Sequence, residues 1–93
     1  MAEDNLNIII LKAHKSFDKI KEEYGVEWEE GELMKLGGLM MENRLKDALE
    51  LLCEIGDRHG LKGKTLGAFI YDTMRTAHFY LQALKALKDV LGE

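Results

Sequence analysis

Residues 56–67 read GDRHGLKGKTLG and place four glycines, two lysines, an arginine and a histidine between two strongly apolar stretches. Read as helix, the segment lines up Gly56, Gly60, Gly63 and Gly67 on one stripe. Read as a turn, it separates two long helices. The turn is the simpler reading, because Gly60 and Gly63 supply positive φ while Lys62 and Lys64 keep the connection solvated. The chain then becomes a series of helices that meet at glycines.

Downstream, Thr65 is placed to cap a helix that runs to about Leu91 before Gly92. Leu66, Ile70, Thr73, Ala77, Tyr80, Leu84, Leu87 and Leu91 follow alternating steps of four and three, the spacing of one helical seam. Upstream, Met34, Gly38, Met41, Leu45, Ala48, Leu52 and Ile55 make the same pattern after Trp28, and His59 is its next position. This run also carries Leu33, Leu36, Leu39, Met40, Leu49, Leu51 and Cys53 on neighbouring faces, too much for a helix packed on one side. It is therefore expected at the centre, with a kink or break at Gly37-Gly38 left open. A first helix begins near Asp4 or Asn5, carries Leu6, Ile10, Ala13, Phe17, Ile20 and Tyr24 inward, and stops at Gly25. Short turns between long amphipathic helices predict an all-α, antiparallel three-helix bundle, or four helices if the second breaks at Gly37-Gly38. The surplus apolar surface of the central helix points to a homodimer through Leu36, Leu39 and Met40.

Composition narrows the classes. Ninety-three residues, 46% hydrophobic and 32% charged, suit a single domain over 1–93. Proline is absent and helix formers dominate. One cysteine, Cys53, cannot form an internal disulfide, and no apolar run approaches the length of a membrane span or a secretory signal, so a cytoplasmic protein is expected. A net charge of -4 disfavours broad binding to nucleic acid or to an anionic membrane. His14, His78 and Cys53 share no zinc-ligand spacing.

Arg58, His59, Lys62, Lys64 and Thr65 gather positive charge and a helix N-terminus, a combination suited to phosphate or carboxylate. The GKT triplet is not a P-loop, since the first glycine of that motif would fall at Arg58 and no strand precedes it. His59-Gly60-Leu61-Lys62-Gly63 resembles the HxLKG core of histidine-phosphotransfer domains. That resemblance implies His59 as the phosphoryl carrier, with the lysine three residues on neutralising charge and the glycine four residues on leaving the ring accessible.

An acidic constellation, Glu29 and Glu32 followed by Glu54 and Asp57, gives two carboxylate pairs at three-residue spacing, the pattern that sets oxygen ligands on facing helices. Glu29-Glu30-Gly31-Glu32-Leu33 and Glu54-Ile55-Gly56-Asp57 resemble the EExGEL and ELGD signatures of the all-α, MazG-like nucleotide pyrophosphatases, the first with one residue fewer. The resemblance implies Mg²⁺ held by these four acids, phosphate contacts from Arg58, Lys62 and Lys64, and cleavage of a nucleoside triphosphate to monophosphate and pyrophosphate. The leading expectation from the residues themselves is different: a self-associating adaptor or regulator that acts by binding protein, needs no cofactor and carries an anion-binding basic turn.

Overall fold

The computed structural model describes the backbone of residues 2–92 and the side chains of residues 5–92. Four helices follow one another: α1 (Ala2–Tyr24), α2 (Glu32–Met41), α3 (Leu45–Arg58) and α4 (Gly63–Val90). No strand occurs among the described residues.

The central run does break, but not at the glycine pair. Gly37 and Gly38 lie inside α2, and the chain turns at Glu42–Arg44, where Asn43 takes φ 59°. The Asn43 amide donates to Met40 O (3.1 Å) and the Arg44 amide to Leu39 O (2.8 Å), the paired bonds of a Schellman motif with asparagine in the left-handed position. Glu42-Asn43-Arg44 is the polar triplet of an otherwise apolar run, and Asn bears left-handed φ better than most residues. Leu36 and Leu39 on the flanks of the glycine pair are buried and hold that segment helical against its weak propensity.

GDRHGLKGKTLG is a turn. Gly60 (φ 79°) ends α3, the Leu61 amide reaches back to Gly56 O at 2.9 Å, and the Gly60 amide to Asp57 O at 3.1 Å. Leu61 is buried, supplying the apolar contact that accompanies this cap. The 59–62 segment is not helical, so the four glycines share no stripe. The following helix starts earlier than expected, at Gly63 with Lys62 as N-cap. Thr65 sits exposed inside its first turn and caps nothing.

α1 lies antiparallel to α4. Ser16 Oγ meets Tyr80 Oη at 2.9 Å, and the Tyr24 hydroxyl donates to Asp72, so residue numbers along the two helices sum to a constant. α2 and α3 pack on each other and on α4, covering only its N-terminal part. There Phe69 is fully buried; Trp28 stacks on it at 5.8 Å, and Tyr24 (5.6 Å) meets it edge-on. Phe17 meets Trp28 edge-on and accepts the indole N–H at its carbonyl. The core continues through Ile20, Val26, Leu36, Leu39, Ala48, Leu51, Leu52, Ile55 and Leu61.

Away from this head, α1 and α4 continue as a two-helix stalk. A 28-residue α4 spans about 42 Å at 1.5 Å per residue, which matches the 43 Å long axis of the molecule. No helix is long and apolar enough to cross a membrane.

Candidate functional site

The polar residues singled out in the sequence converge on Arg58, at the end of α3. Its guanidinium grips Glu32 with two bonds (2.8 and 3.1 Å), lies 3.4 Å from Glu29 and donates to Glu27 O at 3.4 Å. Arg58 thus ties the 27–32 loop to α3. Burial by itself pushes the Glu32 carboxyl up, but the Arg58 hydrogen bonds, with help from the Glu29 amide, outweigh it and hold the group below the usual range. The Glu32 partnership in turn raises Arg58.

Glu29 and Glu32 do not form a carboxylate pair on a helical face. Glu29 lies in the loop before α2, and Glu32 Oε1 accepts the Glu29 amide at 2.6 Å. Their shared counter-ion is Arg58. Glu54, one turn before Arg58 and close enough to add to its stabilisation, lines a crease between α2 and α3 beside Lys35, Arg44 and Asp47, and Asp57 is exposed at the end of α3. Among the described residues, no group of three or more His, Cys, Asp or Glu side chains is placed to hold a metal ion.

His59 caps α3 and has both ring nitrogens engaged. Nδ1 lies 2.9 Å from Ile55 O and Nε2 accepts the Glu27 amide at 3.0 Å. A carbonyl partner for Nδ1 requires the proton there, leaving the Nε2 lone pair committed to Glu27. The ring is a strut between loop and helix. Of the five residues expected to hold an anion, Arg58 and His59 are therefore spent on structure; Lys62, Lys64 and Thr65 remain exposed around the first turn of α4.

A second surface is apolar. Met40, Leu45, Leu49, Ile70 and Met74 line an open groove of about 560 Å³ between α3 and α4, with Tyr71, Arg75 and His78 along its α4 edge. No family model matches this chain, and no curated protein or solved structure matches it.

Leu36 and Leu39 do not form the interface expected of them with Met40. Leu36 and Leu39 are 1% and 7% exposed in the lone chain, because the turn at Asn43 folds α2 back on α3 and hides them. Only half-buried Met40 reaches the groove. The apolar surplus is real, but other residues display it: Met34 and Met41 on α2, Leu45 and Leu49 on α3, and the stalk. His78, next to the buried seam residue Ala77, is exposed. The signal that could have found the groove is the i, i+4 repetition of Leu45/Leu49 and Ile70/Met74; its exposure depends on where α2 ends.

Proposed function

We propose that this chain acts by protein–protein association, as a self-associating helical adaptor whose stalk is completed by a second copy. The observation that carries this reading is the stalk itself. Among the described residues, α1 has no buried position before Ile20 and α4 none after Ala77. Leu6, Ile8, Ile10 and Leu11 are 38–55% exposed, and Val90 and Leu91 at the facing end of α4 are 81% and 44% exposed. Two helices enclose no dry interior, whereas two such hairpins form a four-helix bundle.

The magnitude favours a reversible dimer. Each of these aliphatic side chains stands to gain roughly 1 kcal/mol on full burial, so the five Leu and Ile residues and Val90 supply about 6 kcal/mol per protomer and about 12 per dimer. Association costs roughly 4–15 kcal/mol in lost freedom. A cost near the lower end of that range, about 5–6.5 kcal/mol, leaves a dissociation constant on the order of 10–100 μM. Exposed Lys62, Lys64 and Thr65 give each copy an anion contact on the far end of α4, at the opposite end from the stalk tip.

Sedimentation equilibrium from about 5 to 500 μM tests the proposal across that range. A concentration-dependent mass that Leu11→Asp abolishes, with Trp28 fluorescence unchanged, is the expected result. A folded monomer throughout would overturn it.

A further inference from the structure

We propose that the groove between α3 and α4 receives an acidic amphipathic helix from a different protein. Its floor is built for a helix: Leu45 and Leu49 on one wall and Ile70 and Met74 on the other repeat at one-turn intervals, with Met40 closing an end. From Gly67 to His78 the α4 wall covers about 16 Å, three turns of a guest helix. Two methionines give the floor adaptable shape.

Charge specifies the guest. The chain as a whole carries -4, yet no carboxylate lines this groove, and its polar edge is Arg75, stacked over Tyr71 at 5.8 Å, with His78 a turn away. Exposed Lys85 continues the same face two turns further on. Three of the four acids of α3 are turned away: Asp47, Glu50 and Glu54 line the separate crease toward α2, and Asp57 stands exposed at the helix end. A helix flanked by Glu or Asp meets complementary charge here. A second copy offers no acidic border: its exposed stalk face, Ile8 and Leu11, carries mixed charge from Lys12, Lys15 and Asp18. The groove is thus a different surface from the stalk, and an adaptor has use for both, one for itself and one for its target.

The test uses the full chain and two synthetic helical peptides of roughly 18 residues, with the same Leu stripe and either Glu or Lys on its borders, read by fluorescence anisotropy. The Glu peptide should bind at least about tenfold more tightly than the Lys peptide at low salt, with the gap narrowing as salt rises. Leu49→Asp should weaken the Glu peptide at least about tenfold, and Arg75→Glu should invert the preference. Both positions are exposed, and Trp28 fluorescence reports that the head stays folded. The stalk variant Leu11→Asp should leave peptide affinity unchanged, so that a failure of self-association and a failure of this proposal are told apart. Equal affinity for both peptides, undiminished binding by Leu49→Asp, or loss of self-association in Leu49→Asp would overturn the assignment; the last would give the groove to a second copy.

Discussion

Replacing Gly37 and Gly38 with alanine should stabilise the protein. Both glycines lie in the interior of α2 with ordinary helical φ. A Cβ built at either one meets nothing within 4 Å. The helix therefore suffers the glycine disadvantage without any close approach that would require it. Alanine recovers about 0.5–1 kcal/mol at each position, partly by restricting the unfolded chain. For a chain of this length, unfolding entropy near 0.2 kcal/mol per kelvin converts 1 kcal/mol into about 5 °C, so the double variant should melt roughly 5–10 °C higher. Thermal unfolding followed by circular dichroism at 222 nm, run at matched low concentration so that self-association does not enter, measures this. A melting point that is unchanged or lower would refute the reasoning, because it would mean the pair is a working hinge or packs against something in the folded state.

The opposite sign is expected at Gly60, where φ 79° sits in the left-handed region; Gly60→Ala should cost about 1–2 kcal/mol by denaturant titration, and no loss would remove the turn described for residues 59–62. Thr73 is fully buried and its hydroxyl finds no hydrogen-bond partner among the described residues, so Thr73→Val should raise stability by about 1 kcal/mol in the same titration. Phe69→Ala removes the ring between Trp28 and Tyr24; at about 3–5 kcal/mol this consumes most of the stability expected of a small domain, and Trp28 emission should shift to the red as the head loosens. Glu32 is lowered in the folded state, so its contribution is present above the unfolded carboxyl range and disappears as pH falls through the folded value. Stability should therefore decline on the acid side below about pH 4.5, and Glu32→Gln should flatten that limb of a pH–stability profile.

The fate of His59 shows how far local pattern reaches. From the sequence, HGLKG reads as a turn, an anion grip or a reactive histidine, and the two glycines favour the turn. The structure agrees about Gly60 and Gly63, yet it also gives His59 a role no spacing announced, since its Nε2 partner is a backbone amide 32 residues away in sequence. The same holds for Arg58. Its neighbours in the sequence suggested an anion site; its neighbours in space are Glu29 and Glu32, the acids counted as a separate constellation. Arg58 from one candidate site and Glu29 with Glu32 from the other form a single ion-pair strut. Leu36 and Leu39 are hidden for a related reason: with Asn43 in the left-handed region, one long central helix becomes a hairpin, and residues expected to face outward are buried.

By itself, the chain's order of residues determined helical class, the seams of α1 and α4, and the stop signals at Gly25, Gly60 and Gly92, because each of these depends on contacts within a few residues. Only the tertiary structure decided where the central run turns, which leucines are hidden and which charges are already satisfied. Arg58 and His59 find their partners 26 to 32 positions away, and a helical repeat records which face is apolar without recording what comes to cover it.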